Sequence, residues 1–231
     1  MSGSRDDGSQ EARRRWSQRH GGLDAESSGW VSGWLGLVHR VAVPLARRHV
    51  SPSTLTAYGV VVSLLVPVAV LPGGAWPLLA TVLVVAGAFL DGLDGAVADL
   101  DGTASRWGEV LDPLADRVSD VAFVAALFLL GGPDPLCVAL VVLTLLHESL
   151  RASARAAGMP GVGAVTVWER PSRVIVAAFT TGFCAFAWWG RGLPYVEPGP
   201  VAVVGTTVAV VLAVVGLGHL LLAVRRRMRD G

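Results

Sequence analysis

The sequence contains no lysine and has only two cysteines. All 19 basic residues are arginine, and a basic set of one kind looks like a coding bias with little chemical meaning. Cys137 and Cys184 lie in or near apolar segments without CxxC spacing. They indicate neither a metal centre nor a redox pair, and we expect both to be small core residues. Residues 1–29 contain no apolar segment followed by a small-residue cleavage site, so we expect no secretory signal peptide.

Long apolar segments are what the sequence has in abundance. Of its 231 residues, 52% are hydrophobic and 16% charged, and the mean hydropathy is +0.56. Several segments are as long as a bilayer is thick, which predicts an integral membrane protein. We predict an all-α bundle of six transmembrane helices, at residues 53–71, 76–90, 109–131, 135–155, 173–189 and 201–224, and the second of these continues from residue 90 into the acidic stretch.

The region before the first predicted span has two parts. Residues 1–29 are polar, rich in Gly and Ser and without periodicity, which predicts a disordered cytoplasmic tail. Residues 30–49 place Trp and aliphatic side chains at helical spacing, with arginines elsewhere. This pattern predicts an interfacial amphipathic helix in the headgroup plane, and a simple extension of the first span is the alternative. Residues 50–231 then form the six-helix domain.

Arginine placement predicts the orientation of the bundle. The turns after the first, third and fifth predicted spans contain one arginine between them, Arg191, and the other 18 lie on the opposite side. Because basic residues accumulate on the cytoplasmic side, we expect a multi-pass protein of the cytoplasmic membrane with both termini inside.

Residues 91–120 place eight acidic residues between two apolar segments. Asp91 and Asp94 are three apart, Asp112 and Asp116 are four apart, and each pair shares one helix face. If the two faces meet, the four carboxylates cannot all stay ionised without cations. Oxygen ligands favour Mg²⁺ or Mn²⁺, and four acids are enough for two ions. The cytoplasmic end of this bundle is therefore the predicted metal site.

Glycine and alanine surround these acids and leave little side-chain bulk. Gly92, Gly95, Gly102 and Gly108 lie in the stretch together with Ala98. Bare backbone lets a phosphorylated ligand approach closely. A divalent metal site beside such backbone at the membrane surface suits a diphosphate that carries a lipid tail.

The spacing of these residues matches a known signature. Asp91, Asp94, Gly95, Ala98, Gly108, Asp112 and Asp116 occupy seven of the eight fixed positions in DxxDGxxARx8GxxxDxxxD. The stretch therefore resembles the CDP-alcohol phosphotransferases. The exception is Asp99, which stands where that family has arginine.

The resemblance implies a fold, a reaction and residue roles. It implies a metal-dependent membrane phosphatidyltransferase of phospholipid synthesis, homodimeric, that moves a phosphatidyl group from CDP-diacylglycerol to an alcohol and releases CMP. Asp91, Asp94 and Asp112 would be metal ligands, and Asp116 would share the metals and act as the base. The donor nucleotide would lie near Thr56, Gly95, Ala98 and Gly108, and Arg106 would supply the charge lost at Asp99. No nucleic-acid partner is expected.

Four arginines are candidates for the acceptor side. Arg151 and Arg155 lie on the fourth predicted span, and Arg170 and Arg173 open the fifth. Guanidinium groups facing one another can hold a phosphate, although ordinary headgroup anchors are the alternative. The stretches RASARAAG and WERPSR resemble inositol-phosphate-using members of the family, but Ser153 replaces an arginine common there. We expect a phosphorylated polyol acceptor, inositol phosphate or glycerol phosphate.

Three other functions are alternatives, and one further acid has two candidate roles. A membrane prenyltransferase also uses acidic motifs with Mg²⁺, but needs two separated acidic loops. An ion carrier places its carboxylates near midspan. A catalytically impaired relative that binds a partner is the third alternative, because Asp99 replaces the arginine of the signature. Asp120, one turn beyond Asp116, is predicted to pair with Arg117, and the alternative is that it orients the metal-binding acids.

Overall fold

The computed structural model describes residues 29–103, 105–159, 165–189 and 198–229. Within these ranges the secondary structure is helical, without a strand, which confirms the predicted all-α class. The predicted tail 1–29 lies outside the described residues except for Gly29. The helices described are α1 (Gly29–Arg47), α2 (Pro52–Val70), α3 (Pro77–Asp101), α4 (Gly108–Leu129), α5 (Asp134–Ala156), α6 (Arg170–Trp189) and α7 (Pro198–Arg227).

Four of these helices, α2, α3, α5 and α7, are long and apolar enough to cross a membrane. The chain is therefore a multi-pass membrane protein. Helices α4 and α6 coincide with the third and fifth predicted spans, but both begin with charged side chains, which lowers their apolar character. A count of six spans stays a prediction.

Helix α3 continues well past the apolar segment that predicted it. It begins at Pro77, passes through the acidic residues and ends at Asp101. Gly102 closes it with a φ of 62°, a left-handed conformation that glycine adopts without steric cost, and its N–H donates to the Ala98 carbonyl. Asp91 and Asp94 therefore lie within α3, as the predicted shared helix face requires.

Close helix packing around α3 fixes the bundle. Gly59 on α2 faces Leu90 and Gly87 on α3, and Gly87 lies against Ser63, so the small residues bring the two helices together. Helix α3 also contacts α1 and α6, while α4 contacts α2 and α5. Both cysteines are buried, as predicted. One core cluster joins α2, α3, α4 and α6 through Val66, Ala69, Val70, Ala80, Val84, Phe123, Ala126 and Ala177.

The apolar face of α1 packs on α3. Val38 and Ala42 are buried in one cluster with Leu93 of α3, and the ring of Trp34 meets that of Phe89 edge to face, 5.6 Å between centroids. The helix itself is confirmed. Its location in the headgroup plane stays a prediction, because protein covers much of the face that was expected to lie in lipid.

Candidate active site

Three acidic side chains converge where α3 and α4 meet. Asp91 and Asp94 come from α3 and Asp112 from the second turn of α4, and one carboxylate oxygen of each lies within 4.8 Å of the others. Asp94 is buried, Asp91 half-buried and Asp112 exposed. Like charges this close repel unless a cation or a proton intervenes. The donor set is oxygen alone, and its spacing fits a hard divalent cation such as Mg²⁺ or Mn²⁺.

Asp94 is oriented by a residue of α2. The Thr56 hydroxyl lies 2.6 Å from Asp94 Oδ2 and 3.1 Å from the Pro52 carbonyl oxygen. Both Thr56 and Asp94 are buried, so water does not compete freely for this bond. Thr56 was predicted to border the nucleotide; the structure places its hydroxyl against the acidic group.

Asp116 joins the site through an arginine. Arg170, the first residue of α6, places Nε 3.0 Å from Oδ2 of Asp91, and its Nη1 forms an ion pair with Oδ1 of Asp116. The three-acid group of Asp91, Asp94 and Asp112 does not include Asp116. One guanidinium therefore connects α6 to both acidic helices and offsets part of their charge.

The other predicted nucleotide residues lie on α3, in the loop after it and at the start of α4. A Cβ added at Gly95 would meet no heavy atom within 4 Å, so the helix surface there is accessible to a ligand. Ala98 is half-buried and Arg106 is exposed in the loop between α3 and α4. The Gly108 N–H donates to Ser105 Oγ at 3.0 Å, which closes that loop against the start of α4.

The four predicted acceptor arginines have different environments. Arg151 is buried and its Nη2 lies 2.6 Å from Oε1 of Glu169. Arg155, in the last turn of α5, is exposed. Arg173 is buried and pairs with two acids, and Arg170 contacts the acidic centre. The structure therefore does not gather these four side chains around one shared point.

Asp120 pairs with α6 and not with its own helix. Its Oδ2 lies 2.7 Å from Nη1 of Arg173, whereas Nη1 of Arg117 donates to the Pro113 carbonyl at 2.6 Å. The predicted Asp120–Arg117 pair is wrong, because the Arg117 side chain turns back along α4. The sequence carries no local signal for a partner 53 positions away.

Sequence reasoning also missed a chain of polar contacts that leads to α6. Glu169 Oε1 accepts hydrogen bonds from the Thr166 N–H and hydroxyl, both at 2.9 Å, and from Arg151. Since the Thr166 hydroxyl donates to Glu169, it accepts from Nε2 of His147, 3.0 Å away. His147 is fully buried on α5. The segment just before α6 is thus held to α5 by side-chain bonds.

The chain matches known proteins over most of its length. A family model described as CDP-alcohol phosphatidyltransferase matches residues 49–224. A phosphatidylinositol phosphate synthase of Cutibacterium acnes is 30% identical over 172 residues, 68% of this chain and 81% of the relative. An archaetidylinositol phosphate synthase of Pyrococcus horikoshii is 31% identical over 150 residues, 64% of this chain and 78% of the relative.

Two crystal structures of a Mycobacterium tuberculosis phosphatidylinositol phosphate synthase resemble this fold. One has CDP-DAG bound and superposes with a TM-score of 0.63, covering 81% of this chain and 92% of that one. The other, in complex with manganese and citrate, gives 0.64 with 81% and 88% covered. Both are 27% identical to this chain.

Proposed function

Since the chain belongs to the CDP-alcohol phosphatidyltransferase family, we propose that it transfers a phosphatidyl group from CDP-diacylglycerol to a phosphorylated polyol. The acceptor hydroxyl oxygen forms a bond to the phosphorus that carries diacylglycerol. The bond from that phosphorus to the CMP oxygen breaks, and CMP leaves. The convergence of Asp91, Asp94 and Asp112 beside the open face of Gly95 is the observation that carries this proposal.

The donor diphosphate needs its negative charge neutralised. Asp91, Asp94 and Asp112 would hold Mg²⁺ or Mn²⁺, and a bound metal would offset the charge on the diphosphate and on the departing CMP. Manganese in the similar M. tuberculosis structure supports this assignment. We propose a second ion that uses Asp116, so that four acids serve two cations. Thr56 holds the Asp94 carboxylate in one orientation while the ligand binds.

Asp116 is the proposed base. It lies one turn beyond Asp112 on α4, within the site but outside the three-acid group. It would take the proton from the acceptor hydroxyl as the new bond forms, a contribution of about a hundredfold or more in rate. Arg170 contacts this carboxylate and that of Asp91, so this predicted acceptor arginine reaches two of the proposed metal-binding acids.

Inositol phosphate is the proposed acceptor. The similar proteins of C. acnes and M. tuberculosis are phosphatidylinositol phosphate synthases, and the guanidinium of Arg170 is suited to a phosphate. Arg155, exposed at the end of α5, can meet an anionic acceptor that arrives from the aqueous side. We propose a six-span homodimer in the cytoplasmic membrane, with both termini and the site on the cytoplasmic side.

CMP release from CDP-diacylglycerol tests the proposal. The full chain in lipid nanodiscs with Mn²⁺ is given inositol phosphate, glycerol phosphate, serine or inositol in parallel. We expect release with inositol phosphate and a much slower rate with inositol, because the uncharged polyol has no group for Arg170. No release with any acceptor would overturn the transferase assignment. Release with glycerol phosphate alone would overturn only the acceptor.

A further inference from the structure

Arg173 lies one turn after Arg170 on α6, and three separate parts of the chain hold its guanidinium. Nη1 lies 2.7 Å from Asp120 Oδ2 of α4, and Nη2 pairs with Glu148 Oε1 of α5. Nη2 also donates to the Trp168 carbonyl at 3.3 Å. One side chain therefore joins α4, α5 and the segment just before α6.

The charged side chains of Arg173, Asp120 and Glu148 cost free energy to bury. The Arg173 and Asp120 side chains are 5% and 6% exposed, and that of Glu148 is 23% exposed. A buried arginine between two carboxylates is tolerated only while its ion pairs are intact, and loss of the cation leaves two acids facing each other. Both terminal nitrogens of Arg173 already pair with these acids, so the side chain has little hydrogen-bonding capacity left for an incoming phosphate.

We infer that Arg173 is a positioning residue: together with Asp120 and Glu148 it fixes the start of α6 and thereby aims Arg170 at Asp91 and Asp116. The inference rests on the proposed function, and it separates two arginines that the sequence had placed in one acceptor pocket. Arg170 contacts Asp91 and Asp116 of the proposed site, whereas Arg173 acts indirectly, by positioning Arg170.

The geometry gives this role a clear mechanism. Arg170 must reach Asp91 on α3 and Asp116 on α4 at the same time, which tolerates little displacement of the first turn of α6. Arg173 is three residues further on the same helix and is tied to α4 through Asp120. A misplacement of about 1 Å at a group that orients a reaction can cost about a hundredfold in rate.

A rescue experiment distinguishes positioning from direct phosphate binding. The variants Arg173→Gln and Asp120→Asn/Arg173→Gln are purified in nanodiscs, and kcat and KM for inositol phosphate are measured per folded molecule. We expect Arg173→Gln to lower kcat/KM about a hundredfold, through both a lower kcat and a higher KM. The double variant should recover about tenfold, because it no longer leaves two buried carboxylates unpaired. Arg173→Lys should retain intermediate activity, and Arg226→Gln on the exposed end of α7 serves as the control.

Each alternative gives another result. A direct phosphate ligand would raise KM alone, with no recovery in the double variant, and this would overturn the inference. A merely structural role would reduce the folded fraction but leave kcat and KM per folded molecule unchanged, which would overturn it as well. If Arg173→Gln does not fold, Asp120→Asn carries the test, and we expect it to lower kcat/KM for inositol phosphate about tenfold. An unchanged or lower KM for inositol phosphate in that variant would overturn the positioning role.

The proposed function and the inference fail in different ways. A wild-type chain that releases no CMP with any acceptor would overturn the transferase assignment and, with it, this role of Arg173. An active wild type whose double variant shows no recovery would overturn the inference alone.

Discussion

The Thr56 hydroxyl on α2 lies 2.6 Å from Oδ2 of Asp94 on α3, and both residues are buried. This bond orients a proposed metal ligand from a residue outside the three-acid group. We predict that Thr56→Val, which keeps the shape but removes the donor, lowers kcat/KM about 10- to 100-fold and weakens Mn²⁺ binding. CMP release over a Mn²⁺ titration measures both effects.

Thr56→Ser is the matched control for that variant. Serine keeps the hydroxyl, so activity should stay within about threefold of wild type. Equal losses in the valine and serine variants would show that packing at position 56, and not the hydrogen bond, matters for Asp94.

Substitution of Gly95 is expected to change activity without lowering stability. A methyl group there meets no protein atom within 4 Å, and alanine is favoured over glycine within a helix by about 0.5 to 1 kcal/mol. We predict that Gly95→Ala unfolds at the same or a higher temperature than wild type, yet raises KM for CDP-diacylglycerol about tenfold, because the methyl occupies ligand space. Unchanged kinetics would show that the donor does not bind against this face.

The opposite behaviour is expected at Gly216 on α7. A Cβ there would lie 2.6 Å from Cβ of Trp168 and 3.1 Å from its backbone nitrogen. We predict that Gly216→Ala lowers stability by about 1 to 3 kcal/mol, because backbone and side chain must both shift. Gly218→Ala, on the same helix and with nothing within 4 Å, is the control, and thermal unfolding in detergent compares the two.

Much of the fold and the acidic centre could be predicted from the sequence because their signals are local. The apolar segments located six of the helices, and α3 continues beyond its apolar segment to Asp101. The spacing of Asp91, Asp94 and Asp112 on two helices led to carboxylates within 4.8 Å of one another. Helical periodicity fixes which side chains share a face within one helix, and the match to the signature supplied the expectation that the two faces meet.

The missed contacts that tie α6 to the acidic helices join distant positions. Arg173 with Asp120 and Arg170 with Asp91 join residues 53 and 79 positions apart. The sequence placed the arginines near the membrane surface, but it contained nothing to say which acid each would find. Thr56 shows the same limit: its position near the site was expected, but its hydrogen bond to Asp94 depends on how α2 packs on α3.

The acid at position 99 provides a test of donor binding. Asp99 stands where the related signature has arginine, and Arg106 is the only arginine between positions 99 and 112. It is exposed in the loop between α3 and α4. We predict that Arg106→Gln raises KM for CDP-diacylglycerol about tenfold, since a charged hydrogen bond to phosphate contributes about 1.5 to 3 kcal/mol. Asp99→Arg should change kcat/KM by less than about threefold; a large gain would indicate that the natural site is impaired.

Metal stoichiometry tests how the four aspartates share their cations. Asp91, Asp94 and Asp112 form one group, while Asp116 lies beside it in contact with Arg170. We predict that chelation abolishes CMP release, that Mn²⁺ or Mg²⁺ restores it, and that the wild type with donor bound holds two Mn²⁺ by electron paramagnetic resonance. Asp116→Asn should keep one ion and lose turnover, because the three-acid group stays intact while the base is gone. Asp112→Asn should weaken binding of both ions, because it removes one negative charge from the three-acid group. One ion in the wild type, or two in Asp116→Asn, would contradict a shared two-ion site and leave Asp116 only as a base.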